Sequence, residues 1–342
     1  MRTTVASNLD QAALPEPRGP LSAAVVAALR EEPPSAELPL MSARAADPLG
    51  EDLQLALHVC YELHYRGFAS VAQEWEWEPE LLRLRAVMER SFENALRSAV
   101  DGGDDLDGVL DALLVEPVDG AGVSHYLRDH GEWRHMREYL VHRSIYHLKE
   151  ADPQAWVIPR LQGRAKAALV AVEFDEFGGG RAERMHSRLF ADLLAAADLS
   201  PHYLHYLDVV PVHMLAGVNL MSMFGLHRRL RGALVGHFAA AEITTAPSAQ
   251  RMTKALERMG TGPDCTLFFT EHIEADAVHE QVMRRDVIGD LLNREPDLTA
   301  DVVFGIQATE LLEQRLADHL VGAWQAGRSS LRQPLPDSPG PS

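Results

Sequence analysis

Residues 271–280, EHIEADAVHE, place two histidines among several carboxylates in a segment that otherwise favours helix. On a helix that turns about 100° per residue, Asp276 lies about 40° and His279 about 20° around the axis from His272. The three side chains therefore form one narrow stripe. Such a stripe predicts that polar groups or a metal lie opposite it, and other segments must supply them.

Composition limits the classes of protein that fit. The chain has 342 residues, 46% of them hydrophobic, which is enough to bury a large core. Its net charge of −18 argues against binding to nucleic acid or to an anionic membrane surface. Two cysteines, Cys60 and Cys265, are too few for a disulfide scaffold or a thiolate metal site. We find no long apolar run and no signal-peptide pattern, so we expect a cytoplasmic protein.

Most of the chain has apolar residues at helical spacing, and no convincing alternating strand pattern is present. The predicted class is therefore all-α. Predicted breaks fall at the glycine triplet 178–180 and at Pro201, Pro247, Pro263 and Pro296. The predicted helices span residues 52–65, 79–99, 132–151, 155–177, 181–197, 213–224, 228–242, 248–259, 265–293 and 298–326.

The two ends of the chain have a different composition. Residues 1–50 are rich in proline and weakly periodic, so we expect them to be loosely ordered apart from a short helix near 21–30. Residues 329–342 form a Pro/Ser-rich tail that we expect to be disordered.

Two other segments offer partners for the 272/276/279 stripe. Glu242 ends an apolar, small-residue helix, where a lone carboxylate needs a cation or hydrogen bonds. The glycine triplet separates Glu176 from His186 and allows both to face one point from different helices. With the stripe, this gives six oxygen and nitrogen ligands, a set that suits two iron or manganese ions. The sequence contains no HExxH motif, so it does not favour a zinc protease.

The ordered series E-x9-H (176, 186), E (242) and H-x3-D-x2-H (272, 276, 279) resembles the haem-oxygenase-like diiron oxidases and oxygenases. The resemblance covers roughly residues 132–295. It implies a bundle of about seven core helices within residues 132–328, with residues 51–131 as an added helical region. It also implies two ferrous ions as cofactor, O2 as co-substrate and an external electron donor.

The known reactions of this family include N-oxygenation of amines, oxidative decarboxylation, desaturation and C–C cleavage. N-oxygenating members have an additional carboxylate ligand on the helix before the first Glu, and Glu150 matches that position. The resemblance thus implies Glu150, Glu176 and Glu242 as catalytic carboxylates, and a small amine or free amino acid as substrate. Oxidative decarboxylation, desaturation or C–C cleavage of an amino or fatty acid is the alternative. A homodimer is compatible with this assignment.

Other interpretations of the fold, the ligands and the function remain open. A ferritin-like bundle would use ERMH (183–186) and DAVH (276–279) as two Glu-x-x-His-like motifs, but it leaves His272 without a role. Glu173 could be a ligand instead of Glu176, and Glu150 could simply end a helix. A non-catalytic metal-binding helical protein and, on fold analogy alone, a haem-degrading enzyme are further options. The clusters His58/Glu62/His64 and Glu138/His142/His147 are more typical of local hydrogen bonding.

Overall fold

The computed structural model describes residues 11–33, 38–115, 120 and 122–336, and for residues 274–277 it describes the helical backbone alone. Throughout these residues the regular structure is helical and no β-strand occurs, which confirms the all-α class. Among them, no helix is both long enough and apolar enough to cross a membrane. The α-helices are α1 Pro20–Leu29, α2 Leu40–Ala45, α3 Glu51–Glu62, α4 Pro79–Ala99, α5 Leu106–Leu114, α6 Val123–Asp129, α7 Trp133–His147, α8 Asp152–Ala155, α9 Gly163–Glu176, α10 His186–Ala196, α11 Val212–Leu226, α12 Arg231–Arg258, α13 Pro263–Gln281, α14 Gly289–Arg294 and α15 Thr299–Gln325.

Helix α12 lies at the centre of the bundle and packs against α6, α13 and α15. Glycines allow α12 and α15 to approach closely. A Cβ atom on Gly236 would lie 2.1 Å from the Val302 carbonyl oxygen, and one on Gly305 would lie 2.0 Å from that of Ala233. Because no side chain fits at these crossings, the two helices hold their polar residues at fixed positions around a common interior.

Pro247 lies inside a continuous helix, although the sequence predicts a helix break there. The two helices expected at 228–242 and 248–259 form the single helix α12. A proline inside a helix removes one backbone hydrogen bond and costs about 3 kcal/mol. Buried residues on the far side of the proline, Ala249, Met252 and Leu256, offset this cost by packing into the core. Tertiary packing therefore overrides the local signal.

The segment between α7 and α9 also differs from prediction. The helix expected at 155–177 begins only at Gly163. Gly163 has a φ of +58°, which is incompatible with a right-handed helix running through this position. Before it lie α8 and a 3-10 turn, Ile158–Arg160. By contrast, α13 continues through the π-helical turn Val282–Ile288 into α14, close to the predicted extent.

The described parts of both termini pack against the bundle, and α1 is the short helix expected near residues 21–30. Leu21, Val25 and Leu29 of α1 are buried against α3. At the other end, Ser330 is buried and its amide donates to the Glu138 carboxylate over 2.8 Å. The expected division of the chain at residues 50, 131 and 328 stays a prediction.

Candidate metal centre

Four predicted ligands lie together in the interior of the bundle. Single ligand atoms of Glu150, Glu176, His186 and His272 all lie within 4.8 Å of one another, and all four residues are buried. They come from four different segments: the turn after α7, the end of α9, the start of α10 and the middle of α13. This first group contains two carboxylates and two imidazoles.

A second group shares one member with the first. Glu176, Glu242 and His279 also bring one ligand atom each within 4.8 Å of one another, and all three are buried. Glu176 therefore belongs to both groups, so its two carboxylate oxygens can serve two neighbouring cations. Asp276 was predicted as a further ligand here, but its side chain lies outside the described residues.

The glycine triplet brings Glu176 and His186 together. Glu176 is the last residue of α9 and His186 is the first of α10, and the glycines between them have φ values of +72°, +62° and +80°. A Cβ on Gly178 would lie 2.6 Å from the backbone of Arg184 and Met185. The reversal therefore requires glycine. Across it, His186 Nδ1 lies 2.8 Å from Glu176 Oε2.

Glu150 is held by a histidine that the sequence assigned only to a weaker cluster. His147 Nδ1 lies 2.8 Å from Glu150 Oε1, and His272 Nε2 lies 3.8 Å from the same oxygen. Burial opposes ionisation, but these two rings outweigh it and lower the pKa of Glu150 below its ordinary value. The His147 ring packs against Phe190 and Phe268 at centroid distances of 4.8 and 5.1 Å. Glu150 is therefore a fixed, anionic group.

The histidines of α13 are oriented by neighbouring oxygens. His272 Nδ1 lies 2.7 Å from the Phe268 carbonyl, so it donates there, and in the neutral ring Nε2 carries the lone pair that a metal would bind. His279 Nδ1 lies 2.9 Å from Glu242 Oε2 and 3.7 Å from Glu176 Oε1. His279 Nε2 lies 3.2 Å from Asp175 Oδ2, at the rim of the site. An oxygen partner on one ring nitrogen, as in His272, is a common arrangement for metal-binding histidines, whereas His279 has carboxylate oxygens beside both ring nitrogens.

Glu173 is buried beside the two groups and belongs to neither. Neither of its carboxylate oxygens has a hydrogen-bond partner within the part of the chain that the structure describes. Burial, followed by the charges of Glu176 and Glu242, raises the pKa of Glu173 to about 9. The structure thus places Glu176 rather than Glu173 at the junction of the groups, with Glu173 as a neutral acid beside them.

The donor set fits iron. Glu150 and Glu176 have only histidines within ion-pair distance in the described residues, although both are buried. Glu150 Oε2 is buried and lacks a hydrogen-bond partner there, and His186 Nδ1 lies 2.8 Å from Glu176 Oε2 without the angles of a hydrogen bond. Buried carboxylates without a cation are costly, and mixed carboxylate and imidazole ligands suit iron. Metal ions would compensate these groups.

A cavity of about 480 Å³ connects this cluster with the space between α7, α12 and α15. Glu150, Glu176, Glu242 and His272 line one part of it. Elsewhere its wall contains Arg143, which donates to the two carboxylate oxygens of Glu313 over 2.9 and 2.6 Å. The volume lies within the usual range of about 300–1,000 Å³ for small-molecule sites. The cavity can therefore hold a small polar molecule beside the cluster.

Most residues of the two weaker clusters have hydrogen-bond partners away from the candidate metal centre. Glu62 accepts from Lys149 over 2.9 Å and from the Tyr203 hydroxyl over 2.7 Å, and its helix contributes nothing to either group. His142 lies 2.9 Å from the Ser330 hydroxyl. Glu183, which a ferritin-like site would need, is exposed. Only His147 from these clusters reaches the cavity.

Comparison with known proteins agrees with this geometry. A family model described as iron-containing redox enzyme matches residues 137–314, more than half of the chain. Nitrosourea synthase from Streptomyces achromogenes subsp. streptozoticus is 26% identical over 267 residues, covering 73% of this chain and 54% of the relative. The chain thus spans about half the length of that enzyme. On the family match, and as its sequence resemblance predicted, the protein belongs to the iron-containing redox enzymes.

Proposed function

We propose that the protein is a non-haem diiron oxygenase that N-oxygenates a small amine or a free amino acid. The observation that carries this proposal is the sharing of Glu176 between two buried ligand groups. The first site would use Glu150, His186 and His272, and the second would use Glu242, Asp276 and His279, with Glu176 between them. When bound, the two ferrous ions would supply electrons and coordination positions for O2, which side chains alone cannot provide.

N-oxygenation is supported by two features. Glu150 lies in the first group as a carboxylate beyond the six-residue series, at the position implied by resemblance to N-oxygenating members. The relative detected at 26% identity is named for making a nitrosourea, a compound that contains a nitrogen–oxygen bond. An amine offers its nitrogen lone pair for oxidation without the breaking of a C–H bond.

The cavity gives this chain's own residues a role in binding an amine. Glu313 lines the cavity and balances the positive charge of Arg143, which would otherwise repel an incoming ammonium group. His237 also lines the cavity, and burial lowers its pKa to about 4, so it adds no positive charge at neutral pH. His147 holds Glu150 in place while Phe268 and Phe269 limit the access of water.

The proposal is tested by anaerobic loading with ferrous iron, exposure to labelled O2, and mass analysis of products from a panel of amines, amino acids and fatty acids. We expect iron-dependent O2 consumption and a product that gains labelled oxygen on nitrogen. Alkene, ammonia or shortened-chain products without an N–O bond would favour the alternative of decarboxylation, desaturation or C–C cleavage. A protein that binds iron and never consumes O2 would contradict both reactions.

A further inference from the structure

A second cavity, of about 350 Å³, lies away from the metal centre and shares no lining residue with the first. One wall comes from the start of α9, where Gln162 lines the cavity, and Glu176 lies at the other end of that helix. A helix of 14 residues spans roughly 20 Å. The second cavity is therefore not a part of the candidate metal centre. Its lining residues are Arg160, Gln162, Ala165, Arg228, Arg231, Leu291, Arg294 and Glu295.

Four arginines but only one acidic residue line this cavity, although the chain as a whole has a net charge of −18. Two of the arginines have carboxylate partners, since Arg231 pairs with Glu295 and Arg294 pairs with Asp290. Arg160 and Arg228 have none among the residues that the structure describes. The cavity therefore carries an excess of positive charge.

Arg160 is fixed in position without being neutralised. Its guanidinium donates to the carbonyl oxygens of Gly225 and Leu226, which are neutral acceptors. Burial and the charge of neighbouring Arg228 both lower the pKa of Arg160. Two like charges that face one cavity destabilise each other, and an anion placed between them would reverse this effect.

The backbone also makes room for the arginines. Gly163 has a φ of +58°, and a Cβ there would lie 2.4 Å from Nη2 of Arg294. The glycine thus lets the Arg294 guanidinium lie directly against the start of α9. Asp290 accepts from Arg294 over 3.0 Å and from the Ala165 amide over 3.0 Å, which holds this wall in place.

We propose that this arginine-lined cavity binds a phosphoryl group, either as free phosphate or as part of a phosphorylated small molecule. The planar guanidinium group forms paired hydrogen bonds with phosphate oxygens, and arginine is the residue that most often recognises such groups in this way. The volume exceeds that of a single phosphate, so a larger phosphorylated molecule also fits. The site requires no iron and does not depend on the proposed oxygenase function.

Calorimetric titration of the full-length protein at low ionic strength tests the site with four probes. Inorganic phosphate and pyrophosphate probe the free anion, whereas flavin mononucleotide and riboflavin form a pair that differs by one phosphate. We expect saturable binding of at least one phosphate-bearing probe and no binding of riboflavin at this site. Preference for the nucleotide would indicate a phosphorylated ligand, and preference for phosphate or pyrophosphate would indicate the free anion. Absence of saturable binding by all three phosphate-bearing probes would overturn the proposal.

Variants locate the binding. Arg228→Gln changes an exposed side chain, so it should leave the fold intact and weaken binding about tenfold, as expected for one lost charge-assisted hydrogen bond. Arg160→Gln with Arg228→Gln should abolish it. The control is Arg83→Gln with Arg188→Gln, which removes the same charge from exposed helix ion pairs elsewhere. Equal weakening in the control, or no effect of Arg228→Gln, would contradict the assignment.

Discussion

His186 Nδ1 lies 2.8 Å from Glu176 Oε2, although nine residues, three of them glycines, separate the two along the chain. The contact exists because α9 ends at Glu176 and α10 begins at His186, with left-handed backbone between them. The first ligand group therefore depends on this chain reversal. A change that opens the turn should also disturb the metal centre.

Gly178→Ala should destabilise the turn and lower iron binding. Alanine at a φ of +72° would also place its Cβ 2.6 Å from the backbone of Arg184 and Met185. Gly260→Ala is the matched control, because Gly260 has a φ of +80° and nothing within 4 Å of its Cβ position. We expect the control to cost about 1 kcal/mol and to keep its iron, and Gly178→Ala to cost more and lose iron. Equal unfolding free energies in denaturant titrations would refute this explanation.

His147→Phe should weaken iron binding by about 10- to 100-fold, which is the usual effect of removing a group that orients a metal ligand. Phenylalanine keeps the packing against Phe190 and Phe268 but cannot hydrogen-bond Glu150. His142→Phe is the control, since His142 is buried on the same helix and bonds Ser330 away from the cavity. Anaerobic ferrous titration gives both affinities. A similar loss in the two variants would show that His147 acts only through stability.

Glu173→Gln should make the metal-free protein more stable at alkaline pH. The pKa of Glu173 is raised to about 9, so the folded state keeps a proton that the unfolded chain releases near pH 4.5. Stability therefore falls as pH rises through this window, by at most about 1.4 kcal/mol per pH unit. Glutamine removes this dependence while keeping the shape of the side chain. Urea unfolding at pH 5, 7 and 9 should show a difference between variant and wild type that grows with pH, and a constant difference would count against a protonated Glu173.

Glu313→Gln should raise KM for an amine substrate about tenfold and leave iron content unchanged. The change removes one negative charge from the cavity and leaves the positive charge of Arg143 uncompensated, which repels an ammonium group. Glu257→Gln, an exposed position on α12, serves as the control. Steady-state kinetics of iron-loaded protein measure both. If kcat falls while KM stays constant, Glu313 has a different role.

Much of the site could be predicted because its signals are local. The stripe of His272, Asp276 and His279 follows from helical geometry, and the glycine triplet marks the reversal that joins Glu176 to His186. These patterns depend on neighbours in sequence, so they are visible without a structure.

Other features depend on contacts between distant segments. Pro247 was expected to end a helix, but burial of the residues after it keeps α12 continuous. The role of His147 depends on how the turn after α7 folds back to Glu150, which sequence spacing does not specify. The arginine cavity likewise joins residues from three regions between 160 and 295.

Glu176 is proposed to be shared by two iron sites. The test is the iron content of the protein after anaerobic loading and removal of excess metal, measured for wild type and for Glu176→Gln. The control is Glu183→Gln, because Glu183 is exposed and belongs to neither ligand group. Glutamine keeps the size of the side chain and removes the charge that two cations would share. We predict about two ions per chain in wild type and in the control, and fewer than one in Glu176→Gln. Retention of about two ions by Glu176→Gln would contradict the account.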